Sequence, residues 1–253
     1  MMLALTREVS PAMAACELTH LARVPIDPLV AARQHLQYEQ ALAGLGCRVE
    51  HVAPAPTLPD SVFIEDTAVV LPELAIVARP GAESRPHEVA AVREALAPLR
   101  PLVEIEEPGT LDGGDVVVAG RAIFVGRSTR TNEAGIQQLR RAAAPHGYTV
   151  HSVLTSGCLH LKSAATALNS ETVLVNPAWI APPVFAAYDC IHIDPSETAA
   201  ANVVSVNGRL IAGAAFTRTC ERLERRGFKV LRVDARELAR AEGALTCCSL
   251  LVS

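Results

Sequence analysis

Segments with the apolar pattern of strands alternate along the chain with segments that have the apolar spacing of helices. Short apolar runs bounded by Gly, Pro, Asn or Asp predict strands, whereas apolar residues spaced three or four apart predict amphipathic helices. Asp27 followed by Pro28 predicts the start of a helix that runs to Gly44 or Gly46, and Asn132 predicts the start of another. The alternation of strands and helices along the whole chain predicts an α/β fold.

Five further local predictions concern a hairpin, two strands, a helix cap and the orientation of two adjacent cysteines. Asn207-Gly208 between two apolar runs predicts a two-residue hairpin. The apolar run over residues 61–71 predicts one long strand, and Ser84 is predicted to cap a helix. The last strand is predicted over residues 249–252. Cys247 and Cys248 just before it would face opposite sides if they are extended.

The order hairpin, helix, strand recurs along the chain, and a polar residue recurs with it. These polar residues are separated by 52, 48, 42 and 45 positions, and they are Asp60, Asp112, His160, Asn202 and Cys247. A period of roughly 40–50 residues indicates a repeat architecture. We therefore expect a single domain, residues 1–253, of five ββαβ-like units around an axis, with one polar residue from each unit at the centre.

The composition excludes several classes of partner. The formal charge of −4 with scattered basic residues argues against nucleic acid or an anionic membrane surface as a partner. No run of about 18 apolar residues predicts a spanning helix. The seven cysteines are irregularly spaced and odd in number, and no C-x-x-C or histidine pair has metal-ligand spacing. We expect reduced thiols in a cytoplasmic protein, and no metal.

A thiol, an imidazole and several carboxylates are the groups that a covalent thiol hydrolase acting on a cation requires. Cys247 and His160 supply the first two, although a lone cysteine or an apolar-flanked histidine is commonly a core residue. Glu65-Asp66 within an apolar run is harder to explain structurally, because unpaired buried charge is costly. A bound cation is one partner that would satisfy these acids.

Seven ordered motifs spread over nearly the whole chain resemble the dimethylarginine dimethylaminohydrolase family. The motifs are Asp60-Ser61-Val62-Phe63-Ile64-Glu65-Asp66, Arg79-Pro80-Gly81-Ala82-Glu83-Ser84-Arg85, Gly109-Thr110-Leu111-Asp112-Gly113-Gly114-Asp115-Val116, Arg130-Thr131-Asn132, Leu159-His160-Leu161-Lys162-Ser163, Ala200-Ala201-Asn202 and Thr246-Cys247-Cys248-Ser249. The resemblance implies a five-bladed α/β-propeller, the pentein fold, which agrees with the repeat count.

The resemblance also implies a role for each matched residue. Cys247 corresponds to the nucleophile, His160 to the general acid and base, and Asp112 to the carboxylate that orients the histidine. The expected substrate-binding residues fall into three groups. An acidic wall around the guanidinium comprises Asp60, Glu65 and Asp66, a clamp on the α-carboxylate comprises Arg85 and Arg130, and backbone carbonyls for the α-ammonium come from Leu18 and Ala241.

The expected activity is hydrolysis of Nω-methylated arginine to citrulline and an amine through a covalent intermediate on Cys247. The resemblance implies a small-molecule substrate and no metal or organic cofactor, and a homodimer is one assembly considered. The alternatives on the same scaffold are an arginine deiminase and an amidinotransferase. Two alternatives of other classes are a non-catalytic binding protein with this fold and a cysteine protease. The acidic wall and the complete set of nucleophile, histidine and carboxylate argue against both.

Overall fold

The structure is a computed structural model that describes residues 1–181 and 183–253. Its strands are β1 (Leu3–Thr6), β2 (Arg48–His51), β3 (Ala68–Val70), β4 (Ala75–Val77), β5 (Leu102–Glu104), β6 (Val116–Ala119), β7 (Ala122–Arg127), β8 (Thr149–Leu154), β9 (Ala165–Ala167), β10 (Thr172–Val175), β11 (Asp189–His192), β12 (Val203–Val206), β13 (Arg209–Gly213), β14 (Val230–Val233) and β15 (Leu250–Val252). Its α-helices are α1 (Pro28–Gly44), α2 (Val89–Leu96), α3 (Glu133–Ala143), α4 (Leu161–Ala164), α5 (Thr217–Arg225) and α6 (Arg236–Arg240).

The strands form five three-stranded sheets of one design. In each sheet the middle strand pairs antiparallel with an inner strand and parallel with an outer one. The orders are β3-β4-β5, β6-β7-β8, β9-β10-β11, β12-β13-β14 and β15-β1-β2. In the last sheet the C-terminal strand β15 pairs with the N-terminal strand β1, so the two ends of the chain close the ring. The predicted five-bladed α/β-propeller is confirmed.

The helix and hairpin predictions that rested on caps and turns are also confirmed. Asp27 is the N-cap of α1, and its carboxylate accepts from the amides of Leu29 and Val30. Asn132 caps α3 in the same way. Asn207 and Gly208 both have positive φ, as a two-residue hairpin between twisted strands requires.

Three local predictions were wrong. Residues 61–71 are not one strand, because Ile64–Thr67 form a 3-10 turn and only Ala68–Val70 are extended. The Ser84 hydroxyl does not cap a helix and donates to Glu17 instead, while α2 begins at Val89. Thr246–Cys248 form a 3-10 turn, so Cys247 and Cys248 are separated by helical rotation and not by strand alternation.

The apolar core is divided among five clusters, each lying where neighbouring blades and their helices meet. The inner strands leave a central channel of about 220 Å³ that is lined by all five blades. Its lining includes the side chains of Glu65 and Lys162, whose ion pair lies between the channel and the turn that carries Cys247. Within the described residues, no helix combines the length and apolar character needed to cross a membrane.

Candidate active site

Short helical turns lead into several of the inner strands. Cys247 lies within its turn, Asp112 and His160 each immediately precede one, and Asp60 lies four residues ahead of another. The turns are Ile64–Thr67 before β3, Gly113–Asp115 before β6, α4 before β9 and Thr246–Cys248 before β15. Because the blades share one design, their turns all lie at the same end of the ring. Residues far apart in sequence therefore converge on one pocket.

Cys247 and Cys248 differ sharply in environment. Cys247 is half-buried and lines this pocket, and its Sγ accepts a hydrogen bond of 3.4 Å from the Ala244 amide. Cys248 is fully buried in the apolar cluster on the other side of the turn. Burial raises the pKa of the Cys247 thiol well above its ordinary value, and the nearby carboxylates of Glu65 and Asp66 raise it further. In the unliganded protein Cys247 is therefore a neutral thiol.

His160 is held between two carboxylates. Its Nε2 lies 3.1 Å from Oδ2 of Asp112, and its Nδ1 lies 3.6 Å from Oδ1 of Asp66. Burial alone lowers the pKa of His160, but the charge of Asp66 and the hydrogen bond to Asp112 outweigh it and raise the pKa to about 9. The imidazole is therefore protonated at neutral pH, as a proton donor needs to be.

The Asp112 carboxylate is itself fixed. It is fully buried, and its Oδ1 accepts from the Gly81 amide at 2.9 Å while Oδ2 faces His160. Its backbone N–H donates to the hydroxyl of Thr131 at 3.1 Å. Each oxygen of the Asp112 carboxylate thus has one defined partner. Because the carboxylate is fixed, its contact with Nε2 also fixes the orientation of the His160 ring.

Asp66 joins the histidine to a buried arginine. Its Oδ1 accepts from the Gly114 amide at 3.0 Å, and its Oδ2 accepts from Nη1 of Arg85 at 2.6 Å. Burial alone raises the pKa of Asp66, but the positive charges of His160 and Arg85 outweigh it and hold the pKa below its usual value. Asp66 therefore remains a carboxylate beside the pocket.

Arg85 is largely committed to protein partners. Its Nε donates to Glu88, both Nη2 hydrogens have partners in Glu88 and the Phe63 carbonyl, and one Nη1 hydrogen has Asp66. These bonds use four of the five N–H groups of a guanidinium. Arg85 lines the pocket with a single uncommitted N–H. Arg130 is different, because among the described residues its guanidinium contacts the Thr19 hydroxyl at 3.2 Å and pairs with no carboxylate.

Glu65 does not line the pocket of Cys247 and His160. Its Oε1 accepts from the Lys162 ammonium at 2.6 Å, and its Oε2 accepts from the Thr246 hydroxyl at 2.7 Å. Asn202 in turn donates to the same hydroxyl at 2.8 Å and accepts from the Thr246 amide. Glu65 and Asn202 therefore hold the turn that carries Cys247 from the side of the central channel.

The pocket itself is small and mixed in charge. Its volume is about 20 Å³, which is room for about one water molecule. The side chains that line it are Glu17, Asp60, Phe63, Asp66, Arg85, Arg130, Leu159, His160, Ala241, Glu242 and Cys247. Burial raises the pKa of Asp60 to about 6, although Arg85 acts in the opposite direction. Leu18 lies outside the lining, next to Glu17.

Asp66, Asp112 and His160 are also the group whose geometry resembles a metal site. One ligand atom from each lies within 4.8 Å of the others, and all three residues are buried. Arg85 and the protonated His160 already provide positive charge to these carboxylates. A metal ion would have to displace a proton from His160. The donor set therefore fits an imidazolium better than a cation cofactor.

Three residues that contribute to the site were not assigned from the sequence. Asp115 is fully buried, accepts from the Ser128 hydroxyl and the Leu161 amide, and so fixes the backbone just after His160. Glu88 holds Arg85 by three hydrogen bonds of 2.8–3.2 Å. Glu242 contacts the segment over the pocket. Asp115 lies in the Asp-Gly-Gly-Asp string, and Glu242 follows Ala241 in the segment that the resemblance places beside the α-ammonium, where the family usually has aspartate, whereas Glu88 has no local signal.

The closed ring of five blades and a pocket that combines a thiol, an imidazolium and carboxylates define a class, the guanidine-modifying enzymes of the pentein fold. The N(G),N(G)-dimethylarginine dimethylaminohydrolase of Streptomyces coelicolor is 43% identical over 250 residues, which are 98% of this chain and 95% of that protein. This chain belongs to the dimethylarginine dimethylaminohydrolase family. No model of a protein family matches the chain.

Two solved structures are closely similar. A mutant dimethylarginine dimethylaminohydrolase (DDAH) from Pseudomonas aeruginosa, complexed with citrulline, has a TM-score of 0.94 and 32% identity, with 98% of each chain covered. A dimethylarginine dimethylaminohydrolase adduct with S-methyl-L-thiocitrulline has a TM-score of 0.93 and 31% identity, with 99% of this chain and 100% of that chain covered.

Proposed function

We propose that this protein hydrolyses Nω-methylated arginine, namely asymmetric dimethylarginine and monomethylarginine, to citrulline and dimethylamine or methylamine. The observation that carries the proposal is one pocket that holds Cys247 and His160 together with the carboxylate of Asp66 and the guanidinium of Arg130. Such a pocket suits a molecule with a cation at one end and a carboxylate at the other. Family membership and the citrulline bound to the Pseudomonas aeruginosa relative support the same substrate class.

The first step is activation of the nucleophile. Cys247 is a thiol in the unliganded protein because burial and nearby carboxylates raise its pKa. A guanidinium bound beside Sγ brings a positive charge, which lowers the pKa of the thiol, and the thiol releases its proton to solvent. The Cys247 thiolate then attacks the guanidinium carbon, and a carbon–sulfur bond forms. The substrate thus supplies part of the charge that activates the nucleophile.

The second step is expulsion of the amine. His160 is protonated at neutral pH, since its pKa is raised to about 9, and it donates its proton to the nitrogen that leaves. The carbon–nitrogen bond breaks, and a cationic thiouronium remains on Cys247. Neutral His160 then takes a proton from water, the resulting hydroxide adds to the same carbon, and the carbon–sulfur bond breaks. Citrulline is released when the added hydroxyl group gives its proton to the departing Cys247 thiolate, so Cys247 returns as a thiol and His160 as an imidazolium.

The assignment of the binding residues is part of the proposal. Asp60 and Asp66 would contact the cationic groups of the substrate, and Arg130 would bind the α-carboxylate, aided by the single uncommitted N–H of Arg85. The backbone carbonyls of Leu18 and Ala241 would receive the α-ammonium. Glu65 would act from behind the pocket, through Lys162 and Thr246, by holding the turn of Cys247.

The decisive assay compares kcat/KM for asymmetric dimethylarginine, monomethylarginine and arginine, with citrulline as the detected product. We expect both methylarginines to be preferred, with arginine turning over poorly. Phe63 lines the pocket and provides apolar surface for an N-methyl group. Since burying one methyl group contributes only about 1 kcal/mol, the preference must come largely from orientation of the leaving amine toward His160. A higher kcat/KM for arginine would identify a deiminase instead.

Three broader expectations belong with this proposal. The chain would act as one catalytic domain over residues 1–253, in keeping with the pairing of β1 and β15. It would work in the cytoplasm, and a homodimer is the assembly to test first by light scattering.

A further inference from the structure

The loop at residues 241–243 contains an unusual backbone conformation. Glu242 has a φ of +57°, and among the described residues it shares a positive φ with only one other non-glycine residue, Asn207. Asn207 is explained by its hairpin, and Glu242 lies at the C-terminal end of α6, where the amides of Glu242 and Gly243 donate to the carbonyls of Ala239 and Leu238. Side chains other than Asn, Asp and Gly seldom adopt this conformation. Glycine is the usual residue at this position of a helix end, so the contacts of the glutamate side chain are of interest.

The Glu242 side chain contacts a segment more than two hundred residues away. The Glu242 carboxylate accepts hydrogen bonds from three consecutive backbone amides: that of Thr19 at 2.9 Å on Oε2, and those of His20 and Leu21 at 2.5 Å each on Oε1. Successive amides that point to one anion form a concave anion-binding arrangement of the backbone. Here the bound anion is a side chain of the same protein.

These amides belong to residues 17–21, which we call the lid segment and which lie at the mouth of the pocket. The Glu17 amide donates to the Asp60 carboxylate at 3.1 Å, and the Arg130 guanidinium donates to the Thr19 hydroxyl at 3.2 Å. Asp60 and Arg130 are also residues that we propose to bind substrate. The space beneath is about 20 Å³, so the lid segment must move before an amino acid can enter.

The Ser84 hydroxyl also donates to the Glu17 carboxylate at 2.9 Å, so the lid segment has four attachments, and an arriving substrate would compete for two of them. Its α-carboxylate would draw Arg130 away from Thr19, and its cationic groups would draw Asp60 away from the Glu17 amide. The bonds to Glu242 involve no substrate-binding side chain, and they would remain. The single bond between Ser84 and Glu17 would remain as well, but only the three bonds to Glu242 hold residues 19–21 closed over bound substrate.

We infer that Glu242 is a positioning residue that closes the lid segment over the active site by binding the amides of residues 19–21. Closure would hold the Leu18 carbonyl in place beside the α-ammonium of the substrate. The role in turnover rests on the proposed function. The attachment of the lid segment itself does not, and it can be measured without any substrate.

Hydrogen exchange of the unliganded protein, followed by mass spectrometry over residues 17–23, tests the attachment directly. In Glu242→Ala these amides should exchange roughly tenfold faster or more, because hydrogen bonds to a charged group are lost. Glu242→Asn should behave alike, although asparagine tolerates positive φ, and this excludes backbone strain as the cause. Glu242→Gln keeps one acceptor oxygen and should give an intermediate rate. Glu94→Ala, at an exposed glutamate on α2, is the matched control.

Steady-state kinetics on dimethylarginine test the consequence. A lid segment that no longer closes should raise KM about tenfold in Glu242→Ala, while kcat falls much less, because Cys247 and His160 are untouched. Unchanged exchange in all three Glu242 variants would overturn the inference whatever the enzyme turns over. Faster exchange with an unchanged KM would overturn the positioning role. Faster exchange in a protein that turns over no methylarginine would leave the attachment established and reject the proposed function.

Discussion

Nε2 of His160 lies 3.1 Å from Oδ2 of Asp112, and this contact assigns the two ring nitrogens different tasks. The nitrogen facing Asp112 is held by a fully buried carboxylate, which leaves Nδ1 on the side of Asp66 and the Gly114 amide. The same arrangement raises the pKa of the ring, because burial is outweighed by the negative charges around it. Charge state and orientation of the histidine therefore have one structural origin.

The first prediction concerns the titration of His160. Its imidazole signal in NMR, assigned by its loss in His160→Asn, should titrate near pH 9 instead of near 6.5. Because the pKa is higher in the folded state, its contribution to stability is complete below about pH 6.5 and is lost as pH rises through about 9. The free energy of unfolding in urea should therefore decrease over that window, by up to roughly 3 kcal/mol. A midpoint near 6.5 would contradict the proposed charge state.

The second prediction separates the adjacent cysteines. Cys247→Ser should abolish turnover, since a serine hydroxyl is a far weaker nucleophile than a thiolate. Cys248→Ser should retain most activity and lose some stability, because Cys248 is fully buried among apolar residues. Citrulline formation and urea unfolding are measured for both variants. An active Cys247→Ser protein beside an inactive Cys248→Ser protein would reverse the assignment.

The third prediction distinguishes the two pocket arginines. Arg130→Ala should raise KM for methylarginines and leave turnover of a simple alkylguanidine nearly unchanged, because Arg130 pairs with no carboxylate of the described residues. Arg85→Ala should instead lower the free energy of unfolding by about 3–5 kcal/mol, since it removes the ion pair of Glu88 and one of the two cations beside Asp66. The exposed Arg127→Ala is the control for both measurements. Equal losses on both kinds of substrate in Arg130→Ala would refute its role at the α-carboxylate.

The fourth prediction concerns Gly114. A Cβ atom at this position would lie 2.6 Å from both Nδ1 of His160 and Oδ1 of Asp66, which is closer than real contacts allow. Gly114→Ala should therefore displace the histidine and lower kcat by at least about 100-fold, the lower end of the usual value of general acid catalysis. Gly44→Ala is the matched control, because a Cβ there meets nothing within 4 Å. Full activity in Gly114→Ala would show that the imidazole position is not critical.

The fifth prediction uses the fact that the chain has only two lysines, Lys162 and Lys229. Lys162→Met leaves Glu65 buried without its cation and should destabilise the protein by up to roughly 3 kcal/mol. Burial raises the pKa of Glu65 even though Lys162 opposes it, and the variant would raise it further. A folded pKa above the unfolded one makes the loss larger at pH 8 than at pH 5. Lys229→Met, at an exposed position, should show no such dependence in urea unfolding.

Much of the fold could be predicted because its signals are local. The caps at Asp27 and Asn132 and the hairpin at Asn207-Gly208 depend on hydrogen bonds and backbone angles within four residues. The spacing of polar residues predicted five units, since each blade repeats one design. The prediction of one strand over residues 61–71 was wrong. An apolar run indicates burial, here near the axis of the ring, and burial alone does not distinguish a strand from a turn.

By itself the sequence determined which chemical groups the site contains, because a nucleophile, an imidazole and carboxylates are properties of Cys247, His160 and their motifs. Only the tertiary structure decided their partners. The Arg85 guanidinium pairs with Asp66 and Glu88. Glu65 pairs with Lys162 behind the pocket, and the Glu242 carboxylate binds the amides of residues 19–21. The physical reason is that an ion pair depends on which blades become neighbours when β15 closes the ring on β1, and no local pattern in the chain records that.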